Sequence, residues 1–470
     1  MPQTLKADLC VIGAGSGGLS IAAGAAQLGR KVILIEKGEM GGDCLNTGCV
    51  PSKALIAAAA RAHAMRNAGK YGLTAIDPDI DFAAVMDHVH AAIAAIEPND
   101  SQERFEKLGV KVLREKATFT GPRELEAGEY NVKAKHFVIA TGSRPFIPPI
   151  EGFKETPFFT NETIFQNKAR PVHLIIIGGG PIGVEMAQAH RRLGSETTLI
   201  EGGTILNRED SDLTSVVREQ LLSDGVQLLE HTKAARAEKT ESGIRITTDK
   251  GTVDGTHLLI AVGRKPVVEE LNLGPAGVDY DERGVKTDAR LRTSNKRIYA
   301  VGDVTGGRQF THVAGYHASV VVRNILFKMP SKNRENFSPR VTYCDPELAQ
   351  VGLTENEARE KHKDIRIATW PFTDNDRAIT EKDTRGHVKI ITNKKGLILG
   401  AGIVGKEAGD LLAPWIMAVT EGLKIRAFTD MIAPYPTRSE AGKRAAGAWY
   451  TPTLFSNKTR SLVRLLSTFD

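Results

Sequence analysis

A chain of 470 residues, 41% hydrophobic and 25% charged, has room for about three globular domains and excludes a fibre or a disordered chain. The formal charge of +6 comes from Lys and Arg scattered along the whole length, not gathered into a patch or arm, so nucleic acid is not expected as a partner. Four cysteines are too few for a disulfide-stapled secreted scaffold; the N-terminal MPQTLKADLCVIGAG has no apolar run followed by a cleavage site, and the most hydrophobic runs are short and cut by glycines, so a cytoplasmic protein is expected.

ADLCVIGAGSGGLSIAAGAAQLGRKVILIEKG reads as an apolar strand, a glycine turn, an Ala-rich helix and a second strand ending in Glu36. Gly13 permits the tight turn, Gly15 lets backbone approach a pyrophosphate at the helix N-terminus, and Gly18 lets helix and strand pack closely. Glu36 is placed to accept from ribose hydroxyls, which makes this a dinucleotide-binding βαβ unit.

GGDCLNTGCVPSK follows, with Cys44 and Cys49 between glycines and a helical run from Val50 through Ala60. A zinc site would want two further Cys or His ligands at recognisable spacing, none is nearby, and no metal is expected. A static disulfide and a reactive pair both remain; a helix N-terminus, whose dipole stabilises a thiolate, favours the reactive pair. Lys53, four residues past Cys49, shares a helix face with it one turn on.

HFVIATGSRPFIPPIEG, around Thr141 and Gly142, reads as a strand leaving the first domain and a Pro-rich crossing. HLIIIGGGPIGVEMAQAHRRLGSETTLIEGG then repeats the glycine plan with Gly178, Gly180 and Gly183, and its second strand closes on Glu201. An acid there favours a free 2′-hydroxyl and repels a 2′-phosphate, so this site is expected to prefer NADH over NADPH, with Arg208 nearby as the contrary sign. LLIAVGRKP, around Gly263, closes that domain, and RIYAVGDVTG adds a buried strand ending in Gly302 and Asp303, an acid suited to a flavin's sugar-like chain or to a helix cap. From about Pro339 short strands and amphipathic helices form a further domain without a glycine fingerprint.

The first glycine fingerprint, GGDCLNTGCVPSK, ATGSRP, GGGPIGVE, AVGRKP, YAVGDV and YCDPELAQVGLTE occur in an order and spacing that resembles the flavin-dependent pyridine nucleotide-disulfide oxidoreductases. That family includes dihydrolipoamide dehydrogenase, glutathione reductase and mercuric reductase, and the resemblance covers nearly the whole chain. It implies two doubly wound α/β dinucleotide-binding domains plus a C-terminal α+β dimerisation domain: residues 1–149 and 271–338 for FAD, 150–270 for NAD(H), 339–470 for the interface of a homodimer.

By the resemblance, electrons pass from NADH through FAD to a Cys44–Cys49 disulfide and on to a disulfide or other acceptor. Cys49 is the sulfur next to the flavin, Cys44 the exchange thiol, and Lys53 pairs with Glu185 near the flavin's reactive edge. Asp303 binds the ribityl or pyrophosphate part of FAD; the helix after THVAG aims its N-terminus at the flavin pyrimidine, with His312 a cap or local donor. Lys37, Gly42, Thr141, Gly142, Gly263, Arg264, Gly302, Val313 and Ala314 complete the expected cofactor-binding set.

One departure stands out. Thiol-exchanging members carry HPTxxE near the C-terminus, a His and a supporting Glu that reach into the partner subunit's site, whereas this chain reads APYPTRSE, with Tyr435 for the His and Glu440 retained. A phenol of pKa about 10 is protonated at neutral pH and cannot take a proton as His does, so exchange with dihydrolipoamide or glutathione is expected to be slow. Mercuric reductases also have Tyr here, but they end in adjacent cysteines and this chain ends RSLVRLLSTFD. The alternative is an NADH-dependent flavoprotein that reduces quinones or similar acceptors directly from the flavin. In the tail, Leu462, Leu465, Leu466 and Phe469 fall at helical spacing beside Arg460 and Arg464; packing on its own dimer is expected ahead of membrane contact.

Overall fold

The computed structural model describes residues 3–469, the side chain of Asn336 apart, as two compact units. Of the described residues the first comprises 3–58, 79–178 and 234–335, the second 59–78, 179–233 and 336–469.

In the first unit five parallel strands run in the order Lys111–Leu113, Val32–Ile35, Gln3–Ile12, Tyr130–Ile139, Ile298–Ala300. Along Gln3–Ile12 successive side chains alternate between two cores, as a pleated strand buried on both faces requires. Cys10 and Ile12 join Phe119, Phe137 and Leu125 on one face, while Leu9 and Val11 join Leu19, Ile21 and Val321 on the other.

The pairing register determines where the connections emerge. Ile12 lies opposite Ile35 and Ile139, and Ile139 opposite Ala300, so all four strands end at one level. The glycine turn after Ile12, the acid after Ile35, Ala140–Gly142 and Val301–Asp303 therefore leave the same edge, the carboxyl end where open α/β sheets bind ligands. Strand His173–Ile177 pairs in parallel with His257–Ile260 in the same unit, Ile177 opposite Ile260, and levels Gly178 with Ala261–Gly263 in the same way.

The second unit holds helix Pro181–Arg192, the parallel pair Glu196–Ile200 and Gln227–Leu229, and a five-stranded antiparallel sheet ordered Arg340–Thr342, Glu347–Gly352, Ile398–Gly405, His387–Asn393, Ile365–Pro371. Trp415 stacks on Phe428 at 3.8 Å in the core of this sheet, and Gly442 lets helix Glu440–Leu454 lie against the Trp415 ring, where a Cβ would stand 3.0 Å from it. The architecture is the α/β class with a C-terminal α+β domain expected from the sequence. Among the described residues no helix is long and apolar enough to cross a membrane.

Two expectations are corrected. The helix at THVAG is Thr311–Ile325; it contains that motif instead of following it, and Phe310 is its N-cap. His312 is thus no cap: it lies inside the first turn with its ring stacked on Phe310, because the extended backbone needed at an N-cap falls two residues earlier.

His317, fully buried on that helix, braces the Gly302–Asp303 turn. Its Nδ1 accepts from the Gly302 N–H at 3.1 Å, which leaves the proton on Nε2, 3.1 Å from the Glu335 carboxylate. That bond holds the Glu335 carboxyl down to about 2. His317→Leu orphans a buried N–H and should cost about 1–3 kcal/mol in urea unfolding. His317→Gln, able to accept and donate, should recover most of it; equal loss in both variants would show that shape, not the bond, matters.

Candidate functional site

The two glycine turns have the same construction. Gly13 and Gly178 take φ of +106° and +112°, and a Cβ would stand 2.3 Å from the Ala140 oxygen in one and 2.4 Å from the Ala261 oxygen in the other. Only glycine tolerates both that φ and that contact. At Gly18 a Cβ would lie 1.9 Å from the Gly13 oxygen, the close packing expected of the third glycine.

In each turn the terminal acid folds back onto backbone 22 residues earlier. Glu36 Oε2 accepts from the Ala14 N–H at 2.6 Å, and Glu201 Oε2 from the Gly179 N–H at 2.6 Å. The second oxygen of each accepts from the next loop, Gly38 for Glu36 at 2.7 Å and Gly203 for Glu201 at 2.8 Å. The acids thus brace the turns, a structural use the sequence does not display.

Helices Ser16–Gln27 and Pro181–Arg192 begin at Gly15 and Gly180, and neither has a side-chain cap. Their first-turn N–H groups and positive dipole ends suit a pyrophosphate. A Cβ at Gly15 would touch nothing nearer than 4.0 Å, and at Gly180, Gly142 and Gly263 nothing within 4 Å, so these turns leave room for a dinucleotide. The residues of both turns fit a dinucleotide pyrophosphate.

The cysteines are pinned beside the first turn. The Gly41 N–H donates to the Ala14 oxygen at 3.0 Å, and Gly42, at φ +62°, approaches so closely that a Cβ would lie 2.7 Å from the Gly15 Cα. Helix Gly42–Asn46 carries Cys44, and helix Cys49–Arg66 starts on Cys49. Both are free thiols hydrogen-bonded to each other, and Thr311 Oγ1 lies 3.3 Å from Cys49 Sγ.

This arrangement makes the two sulfurs unequal. The bond from Cys44, the Thr311 hydroxyl and the Lys53 charge bring Cys49 down to about 6. Cys44 moves up, chiefly because it donates to that thiolate and is partly desolvated. Burial pushes Cys10 and Cys344 up as well, which leaves them inert. Thr311 is a residue sequence reasoning missed; it sits far along the chain, and only the fold brings it to the sulfur.

Asp303 Oδ2 accepts from Ser143 Oγ at 2.5 Å and lies 3.7 Å from the Arg264 guanidinium, which also reaches Asp43 at 3.2 Å. Burial pushes the Asp303 carboxyl up. Thr141 donates to the Val267 oxygen at 2.7 Å, and Gly142, Gly263 and Gly302 all have positive φ. Lys37 is taken by Glu270 at 2.7 Å on the surface. The Val313 and Ala314 N–H groups both turn to the Phe310 oxygen in the first helical turn.

In the second unit Glu185 is buried on its helix and accepts from the Tyr343 N–H at 2.9 Å. Tyr435 is exposed, and its hydroxyl donates to Asp376 Oδ2 at 2.8 Å. That bond and the Asp376 charge raise the phenol, with Glu440 a weaker influence in the same direction. Glu440 pairs with Arg444 at 2.9 Å one turn along its helix, so the phenol's immediate partner is Asp376, which no motif marked. Among the described residues no group of three or more His, Cys, Asp or Glu is arranged to hold a metal ion.

Residues 7–318 match the family described as pyridine nucleotide-disulphide oxidoreductase, and residues 338–446 match its dimerisation domain, which supports a homodimer. A mercuric reductase of Staphylococcus aureus is 34% identical over 93% of this chain and 82% of its own length. A dihydrolipoyl dehydrogenase of Thermus scotoductus is 35% identical over 94% of this chain and 97% of its own. Among solved structures, the HOCl-induced flavoprotein disulfide reductase RclA from Escherichia coli superposes with a TM-score of 0.85 at 28% identity, covering 94% of this chain and 99% of that one. With the paired glycine turns and the polarised thiols in place, the chain belongs to the pyridine nucleotide-disulphide oxidoreductase family, FAD-dependent enzymes that pass electrons between a pyridine nucleotide and a redox-active disulfide.

Proposed function

We propose that Cys44 and Cys49 are the working redox pair, that NADH is the reductant, and that the acceptor is a disulfide or another thiol-reactive group that needs no histidine. The observation that carries this reading is the thiol asymmetry: a Cys49 thiolate at a helix N-terminus, held by Cys44, Thr311 and the Lys53 charge. FAD, when bound, accepts hydride from the reduced nicotinamide and supplies two electrons to the disulfide.

Gly13, Gly15, Gly18, Gly42, Thr141, Gly142, Gly302 and Asp303 form the proposed FAD cradle, with Glu36 toward the ribose and the Arg264–Ser143–Asp303 chain orienting the acid. Lys37, Val313 and Ala314 are proposed to complete it. Gly178, Gly180, Gly183, Glu201 and Gly263 are proposed to take NADH, the Glu201 carboxylate repelling a 2′-phosphate. Glu185 is assigned near the flavin by family resemblance. The segments 1–149, 150–270, 271–338 and 339–470 are the proposed working modules, and a cytoplasmic setting follows from a sparse cysteine content that includes a working dithiol.

Reduction of the disulfide takes two electrons and a proton, which Cys44 keeps while Cys49 stays a thiolate. Exchange with an external disulfide then needs Cys44 to lose that proton and attack one sulfur, breaking the external S–S bond and expelling the other sulfur as a thiolate that takes up the proton. The Cys49 thiolate then attacks Cys44 in the mixed disulfide, re-forming the Cys44–Cys49 bond and releasing the second external thiolate. Tyr435, proposed to reach the neighbouring subunit's site, is raised by Asp376 and stays protonated, so it can donate a hydrogen bond but cannot take the proton. Relatives named mercuric reductases and the copper complex of RclA are consistent with an acceptor that binds thiols directly. Soft metal ions and quinones are accordingly acceptors to assay beside disulfides.

Four outcomes check this reading. Iodoacetamide labelling of Cys49 in the reduced enzyme should rise with pH around a midpoint near 6, because the thiolate is present above its lowered pKa and lost below it; Thr311→Val should move that midpoint up. NAD⁺-dependent oxidation of dihydrolipoamide should be slow and gain roughly tenfold or more in Tyr435→His, whereas a fast natural enzyme removes the proton argument. Replacing both cysteines by Ser should abolish disulfide reduction; if all turnover with the best acceptor survives, electrons leave directly from the flavin. Finally, kcat/KM for NADH should exceed that for NADPH by about tenfold or more, from the repulsion at Glu201, and equal values would refute the coenzyme assignment.

A further inference from the structure

Helix Asn457–Leu466 is a separate element after the dimerisation-domain match, which ends at residue 446. Ser456 caps it by accepting from the Thr459 N–H at 3.3 Å, so the helix has its own start signal. It buries no residue. Leu462, Leu465 and Leu466 share one side of it at i, i+3 and i+4, with Val463 at their flank, and Phe469 follows just past the helix end; these side chains are from 53% to 81% exposed.

A helix whose apolar stripe is left exposed by the described residues needs an occupant for that stripe. The charge pattern selects it. From Ala441 through Phe469 the chain carries Lys443, Arg444, Lys458, Arg460 and Arg464 and no acidic side chain. Arg460 and Arg464 lie one turn apart on the side away from the leucines, and both are exposed. Leu454 and Phe455, at the end of the preceding helix, are exposed as well.

We propose that residues 457–469 dock this enzyme on an anionic lipid surface, lying in the interface with the leucine and phenylalanine side chains in the acyl boundary and the basic side chains on lipid phosphates. An amphipathic helix with low net hydrophobicity and a basic polar side binds in this way, through buried apolar area and attraction to anionic headgroups together. A second copy of the chain is the other occupant considered; the uniform positive charge, which would repel its symmetry mate, argues against it.

The test is flotation of the purified FAD-bound enzyme with phosphatidylcholine vesicles with and without phosphatidylglycerol, a readout independent of the acceptor. The intact enzyme should float with the anionic vesicles and much less with neutral ones, and added salt should weaken it. Arg460→Ser with Arg464→Ser should lower affinity roughly thirtyfold, and Leu465→Ser with Leu466→Ser or truncation after Ser456 should abolish flotation, all with unchanged NADH oxidation in solution. Failure of the intact enzyme to float, or equal flotation of the truncated one, overturns the proposal. Conversion of dimer to monomer on truncation, read by analytical ultracentrifugation, overturns it too and assigns the face to a second copy.

Discussion

The common level at which Ile12, Ile35, Ile139 and Ala300 end is the constraint on which the first unit depends. Parallel pairing in register puts the glycine turn, Glu36, Thr141–Gly142 and Gly302–Asp303 on one edge, although they lie up to 290 residues apart in a chain numbered from Gly13 to Asp303. A slip by one residue would turn every side chain of the central strand to the other core and misplace these groups together. Cys44 and Cys49 inherit their location from the same edge, because Gly41 bonds to Ala14 and Gly42 rests on Gly15.

Each turn is then stiffened by a charged or polar brace. Glu36 and Glu201 spend both oxygens on backbone N–H groups, and His317 holds Gly302 while tied to Glu335. Charge-assisted bonds to backbone are among the stronger contacts a buried loop can make, and they replace the reorganisation that a flexible turn would need on binding an anionic ligand. A carboxylate accepting two bonds retains further lone pairs, so bracing and ribose recognition are compatible.

Two local fields point in opposite directions. At Cys49 a donor thiol, a hydroxyl and a lysine charge favour the anion; at Tyr435 the Asp376 carboxylate disfavours it. The Cys49 thiol is lowered and the Tyr435 phenol, which stands at the position of the family's histidine, is raised. The two fields together are what the proposed acceptor chemistry rests on.

Local order carries much of this protein in the primary structure. The two strand–glycine–helix–acid patterns, Cys44 and Cys49 before a helix, and the exchange of His for Tyr435 are all short-range, because a glycine at positive φ or a cysteine at a helix start is dictated within a few residues. Tertiary structure alone decided the partners: Thr311 beside Cys49, Asp376 under the Tyr435 hydroxyl, His317 behind Gly302, Arg444 and not the phenol beside Glu440. It also displaced His312 from a capping role and left helix Asn457–Leu466 with no buried residue. Those contacts join residues with no periodic or motif relation, so their hydrogen bonds and fields exist only once distant strands and helices have set the distances.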